Sequence, residues 1–486
     1  MRKLSVVLIV GCLVAAAAAC TSSGDSANQQ STTSASAPPA TDKPTETKKN
    51  KTPKPYREVI DLAIADIQDF WAETLPEVYQ QDYEPIPDSK LFPATSDNVG
   101  PACSPEGGDA TYEDVKDNAF YCSLGGFVEW DDEGLMPRIY KQYGEYAVAM
   151  VFAHEWGHAI QDQMGFMRTT QSIIRENQAD CFAGAWTKHA LENKAKTGFR
   201  ATEADLQSAL AGMLEFRDEP GSEAEAQGAH GSGFDRVNGF QVGFEQGAAQ
   251  CATWPDDPPE FTEFAFSSEA ELESGGNVDY KSAIDLATHD LNAYWATITT
   301  QFEPVDSIRT FSATDDLPTC GDRKYTAEDI ENVTAFFCVD DNYVAWDDDL
   351  LSEVNDEIGD FGVATILAQQ WTASFQHQNG QTEEQITSKQ GNLQRACFTG
   401  AWAKAVWAGD AHNLNPDGGP TVVLSPGDLD EAVKAFLAFS ETPDEEGETA
   451  GGSAFEQVAA FRDGFLATNG AVQCDTYSEQ DAKGDD

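Results

Sequence analysis

Ala153-His154-Glu155-Trp156-Gly157-His158-Ala159-Ile160-Gln161 sets two imidazoles four residues apart, with a carboxylate directly after the first. On a helix that spacing is one turn, so both rings share a face. Two neutral imidazoles so placed can bind Zn²⁺, and the Glu between them can act as general base toward a water the metal activates. The flanking Tyr146 to Ala153, YAVAMVFA, is apolar nearly all round, which predicts one buried helix over 145–164. Buried polar rings need partners, and for a pair at this spacing the partner expected is a metal.

Downstream, Glu176-Asn177-Gln178-Ala179-Asp180 falls in a second expected helix, over 170–192. Glu176 and Asp180 share its face, and eighteen residues after His158 leave room for a loop and a returning helix. A catalytic zinc takes three protein ligands and leaves one position for water, and its His ligands donate their other nitrogen to a carboxylate or carbonyl. The pattern resembles the gluzincin arrangement, which implies that Glu176 completes the metal set and that Asp180 supports a ligand His from behind.

AHEWGHAIQ, ENQADCFAGAW and His230-Gly231-Ser232 followed by Arg236, Phe240 and Gly243 together resemble the bacterial neutral zinc metallopeptidase family over most of residues 56–254. The resemblance implies a zincin-like α+β domain, with Zn²⁺ on His154, His158 and Glu176, Glu155 as the catalytic carboxylate, and a protein or peptide substrate. His230 is singled out by context. Glycines flank Ser232, so the segment reads as a loop entering a helix near Phe234, where His230 could donate to a developing oxyanion or simply fix its own loop. His189, with no His or acid in register, reads as a surface residue.

The rest of the chain echoes this stretch. YREVIDLAIADIQDFWA from Tyr56 returns as YKSAIDLATHDLNAYWA from Tyr280, and ADCFAGAW from Ala179 returns as RACFTGAW from Arg395. Cys103, Cys122, Cys181 and Cys251 are matched by Cys320, Cys338, Cys397 and Cys474. Even sets in an exported chain point to disulfides. Of the three pairings open in the first half, Cys103–Cys122 and Cys181–Cys251 are favoured as nearest in order. Opposite His154-Glu155-Trp156-Gly157-His158 stands Gln369-Gln370-Trp371-Thr372-Ala373, while Asn392 faces Glu176, Ala396 faces Asp180, Gly451 faces His230 and Gln457 faces Arg236. The frame is kept and the chemistry is lost together. This is expected where a metal site disappears, since half a buried site leaves unpaired polar groups at about 1–3 kcal/mol each.

At the N-terminus, Arg2 and Lys3 precede an apolar run, Leu4 to Ala19, that ends at Cys20. A run this short reads as a signal peptide rather than a span, and Ala17-Ala18-Ala19-Cys20 resembles a bacterial lipobox, making Cys20 the expected lipidated residue. The Ser/Thr/Pro/Lys-rich stretch that follows cannot bury a core and reads as a tether. With 83 acidic against 30 basic residues, the chain carries a formal charge of −53, which opposes binding to nucleic acid. The expected organisation is therefore a signal peptide (1–20), a tether (21–55), a metallopeptidase domain (56–260), a join (261–279), a degenerate copy without the zinc site (280–477) and an acidic tail (478–486). The fold expected is α+β and predominantly helical, and the halves could pack as an internal pseudo-dimer. The product would be held by lipid on the outer face of the bacterial cytoplasmic membrane. A zinc-stabilised scaffold without catalysis, or a zinc amidase acting on cell-wall material, stays open on sequence alone.

Overall fold

Apolar residues recur every three or four positions from Tyr56 onward, and in the computed structural model they form the inner face of α1 (Tyr56–Tyr79), with Ile60, Ala63, Ile67 and Trp71 buried. The structure describes residues 54–479, apart from 106–107, 168–169, 193–195, 223–229, 263–264, 306, 313–316, 328, 331–332, 409–420, 441–448 and 450. Cys20, the signal segment, the tether up to Pro53 and the tail from 480 lie outside the described residues. Lys54, at the end of the expected tether, is fixed: its amide donates to Glu145 Oε1 at 2.6 Å. Among the described residues no helix is long and apolar enough to cross a membrane.

After α1 come three short strands, β1 (Leu91–Ala94), β2 (Ala119–Cys122) and β3 (Phe127–Asp131). β3 is central, parallel to β1 and antiparallel to β2, so β2 is an edge. Helix α2 (Leu135–Tyr143) stops at Gly144, whose φ of 90° only glycine adopts readily, and the chain turns there into α3 (Glu145–Gln163). Every residue of α3 from Phe152 to Gln161 is buried, as the all-round apolar pattern predicts. α4 (Ser172–Leu191) returns against α3, followed by α5 (Glu203–Glu215), α6 (Gly233–Gln246) and a short α7 (Ala248–Cys251).

Two close approaches set how these helices cross. A methyl group on Gly157 would lie 2.7 Å from Ala179 Cα, so the Gly inside the histidine motif lets α4 come against α3. Where α4 meets α6, a methyl on Gly243 would lie 1.7 Å from the Cys181 carbonyl oxygen. The disulfide Cys181–Cys251 ties α4 to α7, and Cys103–Cys122 anchors the loop before β2. Both are the pairings favoured from chain order. His189, expected at the surface, is half-buried near the end of α4, its ring 5.3 Å edge-on from Phe70.

The segment expected as a join carries the six-residue α8 (Glu269–Ser274). Beyond it α9 (Tyr280–Ile298) leads to β4 (Ser307–Phe311), a hairpin of β5 (Thr319–Cys320) and β6 (Arg323–Lys324), β7 (Ala335–Cys338) and β8 (Tyr343–Asp347). β8 is parallel to β4 and antiparallel to β7, the same order as in the first sheet. Helices α10 (Asp348–Glu357), α11 (Asp360–Gln378), α12 (Glu383–Thr387), α13 (Lys389–Trp407), α14 (Asp428–Phe439) and α15 (Ala454–Leu466) follow. Cys320–Cys338 and Cys397–Cys474 close this part. The architecture is α+β and mainly helical.

Helices from the two parts of the chain meet at α6 and α15. Phe234 packs on Phe461 and Phe465, and Phe244 on Phe455. Gln241 Nε2 donates to the Phe455 carbonyl at 3.0 Å, and Arg462 pairs with Glu245 at 2.8 Å. Core side chains of both parts form one apolar cluster.

Each part also buries a carboxylate under an indole: Trp186 Nε1 donates to Asp66 at 3.0 Å, and Trp402 Nε1 to Asp290 at 2.7 Å. Burial raises the Asp290 carboxyl from 3.8 to about 6, against the Trp402 hydrogen bond, which lowers it. The fold therefore keeps this proton up to about pH 6, while an unfolded chain releases it near 4. Its stabilising share is complete below pH 4 and is lost as the pH rises to 6, up to about 3 kcal/mol. Asp290→Asn should accordingly raise the thermal unfolding midpoint at pH 8. The gain over wild type should shrink to nothing by pH 4 in a calorimetric pH series.

Candidate metal centre

His154 and His158 stand one turn apart on α3, and Glu176 faces them from the second turn of α4. Their ligand atoms converge. His154 Nε2 lies 3.2 Å from His158 Nε2 and 3.2 Å from Glu176 Oε2, and His158 Nε2 lies 3.1 Å from the same oxygen. A tetrahedral zinc with bonds of about 2.0–2.1 Å spaces its ligands about 3.3 Å apart, so this donor set fits zinc in both type and spacing. Among the described residues no fourth ligand atom joins the cluster. A zinc ion held by these three donors would have one position free for water, as a catalytic site needs.

The far side of each ring is fixed. Asp180 Oδ1 lies 2.7 Å from His154 Nδ1. Asp180 is fully buried and receives a two-pronged contact from Arg236, Nε to Oδ2 and Nη2 to Oδ1, both 2.8 Å. Burial raises the Asp180 carboxyl, but Arg236 and His154 outweigh it and hold it below the usual range. An ionised Asp180 can only accept, so Nδ1 carries a hydrogen and Nε2 is the nitrogen that faces the cluster. For His158 the same work falls to an amide. Gln161 Nε2 donates to the Arg175 carbonyl and to Gln178 Oε1, which leaves Gln161 Oε1 to accept from His158 Nδ1 at 2.9 Å.

Burial disfavours the charged form of all three ligand groups, and their mutual attraction reverses this. His154 is pushed up to about 10, against burial, by Asp180 and Glu176. Glu176 raises His158, and both imidazoles pull Glu176 well below its ordinary value. A cation at this point would take the place of protons on Nε2, so metal affinity is coupled to pH.

Glu155, beside His154 on α3, is tied to the sheet through one oxygen: its Oε2 accepts the Tyr121 amide of edge strand β2 at 2.8 Å. Burial raises its carboxyl, opposed by the two imidazoles. His230 sits just before α6 with its side chain 49% exposed, its Nδ1 3.1 Å from Asp218 Oδ1. The Asp218 carboxylate also accepts the amides of His230 and Gly231, and Asn177 Nδ2 donates to the His230 carbonyl at 3.3 Å. Its imidazole is thus engaged by Asp218 and stands outside the converging set. A second group of close carboxylates, Asp360, Asp428 and Glu431, accepts backbone amides from Val278, Ser425 and Phe361.

Sequence reading placed Arg236 and Gln161 inside motifs without giving them a task. Gln161 had a local signal, since it lies one turn beyond His158. The reach of Arg236 across 56 residues to Asp180 had none.

The chain belongs to the family described as "Putative neutral zinc metallopeptidase", whose model matches residues 3–254 of the 486. That family implies a zinc cofactor. An uncharacterized protein from Mycobacterium tuberculosis (strain ATCC 25618 / H37Rv) is 28% identical over 184 residues, which is 33% of this chain and 59% of the relative. One from Mycobacterium bovis gives the same figures. The uncharacterized protein YpfJ of Escherichia coli (strain K12) is 31% identical over 164 residues, 28% of this chain and 53% of its own length. The chain thus spans little more than half the length of these relatives. No solved structure matches.

Gln161→Met removes the acceptor behind His158 at near-constant volume. It should weaken zinc affinity by about 10–100-fold, measured by competition with a chromophoric chelator.

Proposed function

We propose that this chain is an extracytoplasmic zinc endopeptidase whose reaction is confined to the part containing α3 and α4. The observation that carries the reading is the convergence of two imidazole nitrogens and one carboxylate oxygen within 3.2 Å, with Glu155 on the same helix. His154, His158 and Glu176 would hold the metal. Zinc, when bound, is a Lewis acid that polarises the scissile carbonyl and acidifies water.

The protein's own groups do the rest. Glu155 accepts a proton from the attacking water and delivers it to the leaving amine nitrogen. Burial raises its proton affinity, and the Tyr121 amide fixes one of its oxygens. Asp180 and Gln161 hold the two rings in the tautomer that presents Nε2. His230, oriented by Asp218 and tied through its carbonyl to the residue beside Glu176, donates toward the carbonyl oxygen as negative charge develops on it. The open coordination position favours catalysis over a zinc-stabilised scaffold, which a fourth ligand would close.

In this reading the part from 280 onward is a copy that has given up its metal. Gln369 Nε2, in the place of the first imidazole, bonds Thr399 Oγ1 at 3.1 Å, and Gln457, in the place of Arg236, donates to the carbonyls of Gly451 and Gly452. Four disulfides suit an oxidising compartment. That agrees with export by the N-terminal segment and anchoring through lipid on Cys20 at the outer face of the cytoplasmic membrane.

The test is hydrolysis of a broad peptide library together with zinc content. Glu155→Gln should keep zinc at full occupancy while peptide cleavage falls by at least about 10²–10⁴-fold. A wild type that binds zinc yet cleaves nothing in the library would sink the peptidase reading and favour the scaffold. His230→Ala should keep zinc and lower kcat by about 10²–10³-fold with little change in KM; an unchanged kcat would reduce His230 to a loop-fixing residue.

A further inference from the structure

We infer that Asp430, on α14 in the second part of the chain, is a positioning residue for the metal centre. This rests on the zinc reading above and gives the second part of the chain a task in it. Asp430 is buried, and its two oxygens serve two different segments of the first part. Oδ1 accepts the Phe234 amide in the first turn of α6 at 2.7 Å, and Oδ2 pairs with Arg217 Nε at 2.9 Å. Ser232 caps the next amide of the same helix, that of Asp235, at 3.1 Å. The α6 N-terminus is thus closed by one group from its own part and one from the other.

Both segments that Asp430 holds lead directly to the metal set. Two residues beyond Phe234, Arg236 leaves α6 to grip Asp180, which orients His154. One residue before Arg217, the Phe216 carbonyl accepts Arg236 Nη1. One residue after it, Asp218 holds His230. Arg236 is therefore fixed at its root by the α6 terminus and at its tip by the 216–218 turn, and Asp430 binds the two together. The fit is close: a methyl on Gly233 would lie 2.9 Å from Asp430 Cγ. A carboxylate at a helix N-terminus is also favoured by the helix dipole.

The test uses the full chain and zinc alone, with affinity read by chelator competition and stability by thermal unfolding with and without zinc. Asp430→Ala should weaken zinc affinity about tenfold, the low end of what loss of a ligand's own partner costs. It should also shrink the zinc-induced rise in unfolding temperature. Asp430→Asn keeps an oxygen for Phe234 but not the charge facing Arg217; it should give a smaller loss, and it decides the matter if the Ala variant does not fold. Arg462→Met cuts a different tie between the same two parts, at the far end of α6. It should lower stability yet leave zinc affinity within twofold.

Unchanged zinc affinity in the folded Asp430 variants would overturn this inference alone. So would an equal loss in Arg462→Met, which would mean that any loosening of the contact suffices. A wild type that binds no zinc would overturn the metal reading and this inference with it.

Discussion

The candidate metal centre depends on a fork of charge buried behind it: Arg236 on Asp180, and Asp180 on His154. A fully buried carboxylate is costly without a partner, and removing one member of a buried ion pair costs about 3–5 kcal/mol. Here the guanidinium, itself only 5% exposed, neutralises Asp180 in two directions at once. That makes Asp180 a fixed acceptor and so decides which nitrogen of His154 faces Glu176. The tautomer of a ring on α3 is set by a residue on α6, through a carboxylate on α4. The crossing of these three helices, made close by Gly157 and Gly243, is therefore part of the chemistry.

The two parts of the chain separate frame from chemistry. Gln161 bonds the Arg175 carbonyl and Gln178, and Gln376 bonds the Gly391 carbonyl and Gln394 in the corresponding place. Gln178 donates to the Cys251 carbonyl as Gln394 does to Cys474. These amide chains join helices in both parts of the chain. Asp180 and Arg236, by contrast, form the contact that orients an imidazole. Opposite them stand Ala396 and Gln457, a neutral pair in which neither residue strands a charge. A charge at only one of the two places would be left buried without its partner.

Much of this was legible in the sequence because it is local. The 3.6-residue period gave α3 and α4 to within two residues at each end, and four-residue spacing placed His154 with His158 and Glu176 with Asp180 on shared faces. Chain order gave the two disulfides of the first half. What sequence could not give is long-range pairing. Nothing in the spacing of Arg236, Asp218 or Asp430 says which carboxylate meets which cation, because ion pairs across helices are set by crossing geometry rather than by periodicity. The same holds for the Tyr121 amide on Glu155: edge strand β2 has no side-chain signature for a backbone donor aimed at a helix 34 residues away.

Protons and a divalent cation compete for the same three atoms. Asp180 and Glu176 raise His154, and Glu176 raises His158, while the three ligand atoms lie 3.1–3.2 Å apart, close to the spacing a zinc ion needs. Preorganisation of this kind reduces the conformational cost of metal uptake, since the ligands need move only a few tenths of an ångström. It also adds the work of displacing those protons. The second effect makes metal uptake sensitive to acid. Metal occupancy would therefore rise with pH as those protons are released.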